Sequence, residues 1–156
     1  PLGRRHRMKT LEELDACYRA MPPVAAMGIQ SAGWDGQRLR LRAPLAANIN
    51  DKGTVFGGSM ASIATLAAWG LLTLRLGKAG IKAEVYVADS QLKYLKPLVA
   101  DLGAEAWLDA GTDWEAFLRS YRERGRARAQ LLARVTDPEG ATVAEFSGRF
   151  AALRAP

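Results

Sequence analysis

Residues 48–59 read Asn-Ile-Asn-Asp-Lys-Gly-Thr-Val-Phe-Gly-Gly-Ser and open an uncharged run that continues to Leu74. A polar loop carrying Asn48, Asn50 and Gly53 thus delivers the backbone to Gly57-Gly58 just where a helix is predicted to begin. Met60, Ile63, Ala67 and Leu71 form the apolar face of that helix. The first turn of a helix leaves backbone N–H groups unpaired and carries partial positive charge. Glycines there let a ligand oxygen come close to the backbone. The entry therefore suits an oxyanion, a carbonyl oxygen that gains charge during a reaction. Gly58, Ser62 and Thr65 share one helix face. The groups expected around the carbonyl are Asn50, Gly57, Gly58 and Thr65, with Asn48, Phe56, Ser59, Ser62 and Asp89 as substrate-binding positions. Each has a structural alternative. Asn50 can close its own loop, and Ser62 and Thr65 can bond back to helix carbonyls. Gly57 and Gly58 can serve close helix–sheet packing, and Phe56 can simply pack.

The rest of the composition narrows the chemistry. The chain has one cysteine, Cys17, and one histidine, His6, so no intramolecular disulfide and no Cys/His zinc cluster can be built. A Ser-His or Cys-His catalytic pair would have to draw on His6, near the terminus. No metal or redox cofactor is implied. The hydrophobic share of 49% fits one globular domain. Of the net charge of +6, Arg4, Arg5 and Arg7 supply three. Pro1 is no initiator whereas Met8 can be, so residues 1–7 are read as an appended or upstream remnant and residues 8–156 as a single domain. The mildly basic remainder suits an acidic cofactor or carrier protein without requiring nucleic acid. No signal peptide is recognisable, which gives a cytoplasmic expectation. The Gly53–Leu74 run is long enough to span a bilayer, yet its glycines, serines and threonines dilute it. A buried helix wrapped by a sheet is the expectation, with no membrane partner.

The elements that must position the loop follow from caps and periodicity. Thr10-Leu11-Glu12-Glu13 is a capping box, with Leu11, Leu14, Cys17 and Tyr18 on one face of the helix it starts; Pro22-Pro23 is expected to end that helix. Strands are predicted at Met27–Trp34 and Arg38–Ala43, joined near Asp35-Gly36. Leu39 and Leu41 alternate there with Arg38, Arg40 and Arg42, either a solvated outer face or a landing site for acidic groups. After the central helix come strands at Ala83–Leu95 and Ala104–Ala110. A second capping box is expected at Thr112-Asp113-Trp114-Glu115, followed by strands at Arg126–Val135 and Ala141–Leu153. Two strands, a long helix and four strands predict an α+β fold, one antiparallel sheet curled around the helix.

That order, with Asn-x-x-Gly-x-x-Phe-Gly-Gly at the helix entry, resembles the hotdog fold of acyl-thioester enzymes. It is most similar to the thioesterase family of the YiiD C-terminal type. The residues that match are Ala43-Pro44-Leu45, Asn48-x-Asn50, Gly53 through Ser59, Ala64 through Trp69, and Val87 through Pro97. The resemblance implies a homodimer or dimer of dimers with sites at the subunit interface, and a substrate carried as a thioester on coenzyme A or acyl carrier protein.

Many hotdog thioesterases carry His-Gly-Gly where this chain has Phe56-Gly57-Gly58, and an acid on the helix near the position of Thr65 here. Hydrolysis needs a base or a carboxylate nucleophile, and this helix offers neither. Asp51 and Asp89 are the nearest acids in the matched blocks; Asp51 can equally form a turn, and the face that Asp89 occupies is open. Decarboxylation of a malonyl thioester needs no base to start it, only a held carboxylate and a stabilised enolate oxygen. Malonyl-acyl-carrier-protein decarboxylases occur in the family this chain resembles. The expected function is therefore decarboxylation of malonyl-acyl carrier protein to the acetyl form in fatty-acid synthesis. A thioesterase and a catalytically silent acyl-thioester-binding subunit are the alternatives.

Overall fold

The computed structural model describes residues 8–155. Arg4, Arg5, His6 and Arg7, with the reading of residues 1–7 as a remnant, lie outside the described residues. Helix α1 (Leu11–Ala20) is capped by the Thr10 side chain, which accepts from the Glu13 N–H at 3.2 Å. It stops where expected, but Pro22-Pro23 then begins a second short helix, α2 (Pro22–Met27). Proline suits a first helical turn because its missing N–H is one the helix could not have paired anyway. Consequently strand β1 begins three residues later than the sequence predicts, at Gln30, and runs to Trp34.

Strand β2 (Leu39–Ala43) follows, buried at Leu39, Leu41 and Ala43 and exposed at Arg40 and Arg42. The chain then forms α3 (Gly57–Lys78), β3 (Ala83–Tyr94), β4 (Leu102–Leu108), α4 (Trp114–Arg124), β5 (Arg126–Thr136) and β6 (Thr142–Arg154). The cap of α4 is Asp113 rather than Thr112; its carboxylate accepts from the Ala116 N–H at 3.0 Å. Aspartate is the stronger cap because its ionised oxygen also complements the helix dipole.

The strands form one antiparallel sheet in the order β1-β2-β4-β5-β6-β3. It curls around α3, which packs against β2, β3, β4, β5 and β6. Alternate residues of β5 and β6 are buried toward the helix, among them Leu131, Val135, Phe146 and Phe150. Ile63, Leu71, Leu72 and Leu74 of α3 are fully enclosed, each burial worth about 1.5–3 kcal/mol. Alanine and glycine allow the close approach: a Cβ at Gly70 would lie 2.5 Å from the Tyr18 hydroxyl and 2.8 Å from Leu39. That hydroxyl donates to the Leu66 carbonyl at 2.8 Å, docking α1 on α3. Helix α3 is long and apolar enough to cross a membrane, but 61% of its apolar window is buried inside the fold.

Candidate active site

The loop before α3 is a small closed hairpin. Ile49 and Val55 form an isolated antiparallel bridge, and the Asn50 N–H donates to the Thr54 carbonyl at 2.8 Å. The Asn50 side chain completes the turn. Its oxygen accepts from the N–H groups of Lys52 (2.8 Å) and Thr54 (3.0 Å), and its nitrogen donates to the Thr54 hydroxyl at 2.8 Å. One Nδ2 hydrogen is left over from this set. Asn48 is buried, and its amide nitrogen donates to the carbonyls of Met27 and Pro44, both at 2.8 Å. It thereby anchors the loop to the end of α2 and to the segment after β2.

Phe56 is the last residue before α3. Its N–H donates to Asn48 and its carbonyl accepts from Ser59 and Met60. Among the described residues, no acceptor takes the N–H of Gly57 or Gly58, and no side chain caps the helix. These are two of the orphan donors that open any helix, here at positions that remain partly accessible. The lack of a side chain has visible use at Gly58, whereas Gly57 has room for one at ordinary contact distance from Tyr94. A Cβ at Gly58 would lie 2.4 Å from the Phe56 ring, and one at Gly57 would lie 3.4 Å from Tyr94. The Tyr94 hydroxyl donates to the Gly57 carbonyl at 3.0 Å. Ile49, Phe56, Tyr94, Leu95 and Val99 are large apolar side chains left exposed in the segments that meet here. The Val55 N–H, donating to Leu98 at 2.8 Å, ties those segments together.

Ser62 and Thr65 stand along the half-buried stripe of α3, each hydroxyl donating back to the helix: Ser62 to Gly58 at 2.8 Å and Thr65 to Ala61 at 2.7 Å. Their proton is spent on the helix, while their lone pairs can still accept. Ser59 is buried. Trp69, lower on the same stripe, donates through Nε1 to the Val85 carbonyl of β3 at 2.9 Å.

The two acids point elsewhere. Asp51 is exposed and pairs with Lys52 at 3.0 Å. Asp89 forms an ion pair with Arg149 and sits opposite it across β3 and β6. Arg149 lies between the buried residues Gly148 and Phe150, so it and Asp89 occupy the outer face of the sheet, away from α3. The sequence groups Asp89 with Val87 by simple alternation. A bulge at Ala88 breaks that alternation: Val87 pairs with the inward Phe150, and Asp89 with the outward Arg149. The same bulge hides Tyr94 from a sequence reading, because the helix-facing residues of β3 change from odd to even numbers across it.

On the outer face, Glu105 is buried under three arginines, with Arg134 at 2.9 Å, Arg38 at 3.2 Å and Arg40 at 3.6 Å. Burial alone would raise its carboxyl, but the bonds and charges of Arg134 and Arg38 outweigh it and hold the carboxyl below the usual range. Of Arg38, Arg40 and Arg42, the candidate landing site, the first two are thus partly neutralised from within. Cys17 lies on α1, where burial pushes its thiol up, the reverse of nucleophilic activation. Among the described residues no cluster of His, Cys, Asp or Glu is arranged to hold a metal ion.

The family model described as "Putative thioesterase (yiiD_Cterm)" matches residues 11–154. The chain belongs to this family. A solved protein of unknown function from Chlorobaculum tepidum is similar, at 29% identity over 92% of this chain and 94% of its own, with a TM-score of 0.86. A putative thioesterase from Shewanella oneidensis is similar at 25% identity, covering 92% and 96% with a TM-score of 0.79. A probable thioesterase from Pseudomonas aeruginosa shares the fold at 24% identity, covering 96% and 100% with a TM-score of 0.80. The sheet and central helix are those of the hotdog thioesterases. Membership of the yiiD_Cterm family implies an enzyme acting on acyl thioesters.

Proposed function

We propose that this chain decarboxylates a malonyl thioester carried on acyl carrier protein, giving the acetyl thioester that starts fatty-acid synthesis. The observation that carries the reading is the pair of unpartnered N–H groups at Gly57 and Gly58, with Asp51 turned to Lys52 and Asp89 held by Arg149. The two amides receive the thioester oxygen. The bond between the methylene carbon and the carboxylate breaks, its electron pair forms the enolate, and carbon dioxide leaves. A proton from water then converts the enolate to the acetyl group. Removal of one donor of this kind typically costs about 2.7–4 kcal/mol of barrier. Asn50 shapes the loop that presents the amides, and its remaining Nδ2 hydrogen supplies a further donor. Phe56, Ser62 and Thr65 line the acyl approach, and buried Asn48 and Ser59 support it. A carboxylate beside the malonyl group would repel it, so a neutral entry favours this substrate.

Residues 8–156 act as one cytoplasmic domain and pair as a homodimer or a dimer of dimers. Support for pairing comes from β3, which ends the sheet with one edge unpaired and exposes Tyr86, Val87 and Tyr94. Hydrolysis of an acyl thioester is the second reading, favoured by the description of the family. Incubation with malonyl-acyl carrier protein, followed by intact-mass measurement, separates the two. Loss of carbon dioxide with the acyl group retained supports decarboxylation. Free carrier thiol with released malonate overturns it in favour of hydrolysis.

A further inference from the structure

Cations gather at one end of the sheet. Arg122 and Arg124 stand in the last turn of α4, Arg126 opens β5, Arg154 ends β6, and Lys82 precedes β3. Their elements are bonded together there. The Arg154 N–H donates to the Gly125 carbonyl at 2.8 Å, and its guanidinium donates to the Arg122 carbonyl at 3.3 Å. The Tyr121 hydroxyl donates to the Lys82 carbonyl at 3.4 Å, and Arg154 lies opposite Ala83. All these cations are exposed, and among the described residues none of them is in an ion pair. The same segments carry the acids Glu84 and Glu123, which leaves this end net cationic. Cations elsewhere are answered: Arg38, Arg40 and Arg134 share Glu105, and Lys52 has Asp51.

Within one chain this end is remote from the helix mouth. Strand β3 has 12 residues and spans about 36 Å at the usual rise. Lys82 precedes its start, and Tyr94, which bonds Gly57, is its last residue. A two-fold pairing through the open edge of β3 runs the two β3 strands antiparallel. The start of one β3 then approaches the end of the other, so the cationic end of one copy flanks the mouth of its partner.

We infer that this cationic end is the docking surface for the acyl carrier protein, and that a carrier docked on one subunit delivers its thioester to the mouth of the other. The inference rests on the carrier-borne substrate and the two-subunit arrangement proposed above. An acidic carrier meets guanidiniums there that no internal carboxylate has claimed. Arginine is weakly hydrated and forks onto carboxylates, so it loses little on contact. Unpaired surface charge also steers an oppositely charged partner, an effect that salt screens.

The test uses the full chain and apo-acyl carrier protein, which lacks its prosthetic arm and can bind only through its surface. Fluorescence anisotropy of labelled carrier reads the affinity. Arg122→Gln with Arg126→Gln should weaken binding about tenfold and reduce its salt dependence. Arg40→Gln with Arg42→Gln, the same change of charge on the outer face of β2, should bind like the parent. Parent-like affinity in the first pair, or an equal loss in the second, overturns the docking surface. In turnover, the first pair should raise KM for the malonyl carrier about tenfold with kcat unchanged, and should leave malonyl-pantetheine, which has no carrier protein, unaffected. Equal effects on both substrates also overturn the surface. A parent that binds the apo carrier through this end yet decarboxylates neither substrate overturns the proposed function alone.

A mixed dimer tests delivery between subunits. One chain carries Gly58→Val, which blocks its mouth, and the other carries Arg122→Gln with Arg126→Gln. The working mouth should keep the parent KM, because the blocked chain supplies its intact cationic end. A raised KM in that dimer places docking and turnover on the same chain and overturns delivery to the partner.

Discussion

The Tyr94 hydroxyl at the end of β3 donates to the Gly57 carbonyl in the first turn of α3, at 3.0 Å. One bond thus joins the open edge of the sheet to the helix mouth where two N–H groups lack acceptors. The tyrosine acts on the position of the glycine backbone, not on the substrate oxygen. Tyr94→Phe keeps the ring against Gly57 and deletes the bond. Because Tyr94 is half exposed, stability should fall by no more than about 1 kcal/mol. Turnover of a malonyl thioester should fall about tenfold in kcat, by displacement of donors whose placement sets the barrier, with KM little changed. Steady-state kinetics beside thermal unfolding checks the split; an unchanged kcat would remove Tyr94 from the site.

Asp89 and Arg149 are bound to each other on the face of the sheet remote from α3. Asp89→Asn should therefore leave turnover within about twofold of the parent. Its cost to stability should be at most about 1 kcal/mol, as for other exposed ion pairs. A loss of a hundredfold in the same assay would make Asp89 a base or nucleophile and would favour hydrolysis.

Glu105 gives the fold a dependence on acid. Its carboxyl is held below the ordinary range in the folded chain, so between the folded and unfolded values the unfolded state binds the extra proton. The stabilisation is complete above the unfolded value, about 4.3, and is lost as pH falls through the lower folded value. Urea unfolding from pH 7 down to pH 3 should show the parent losing its advantage over Glu105→Gln across the acid limb. At pH 7 the variant should be less stable by about 1–3 kcal/mol, having lost charged hydrogen bonds to Arg38 and Arg134. Parallel curves for the two proteins would contradict the assignment.

Much of the scaffold was legible in the sequence, because its signals are local. Leu39 and Leu41 alternating with arginines gave β2, the glycines at 57 and 58 with the apolar run behind them gave α3, and Asp35-Gly36 gave the first hairpin. What escaped depended on a neighbour. Pro22-Pro23 reads as a stop, yet it begins α2 because the chain turns at Met21 first. The face of Asp89 and the reach of Tyr94 turn on the bulge at Ala88, which is defined only against β6. Asn50, Ser62 and Thr65 each carried two readings in sequence. The bonds they make are to their own loop or helix, and this leaves the backbone of Gly57 and Gly58 as the group best suited to receive an oxygen.

The most direct measurement is the backbone amide spectrum of the 15N-labelled protein during titration with a malonyl-thioester analogue whose carboxylate is replaced by sulfonate, which cannot leave as carbon dioxide. The Gly57 and Gly58 amide protons should move downfield together and saturate with the affinity of the analogue, as N–H groups do when they gain an acceptor. Saturable binding that leaves both amides unmoved while other signals shift would contradict the oxyanion role of the α3 entry.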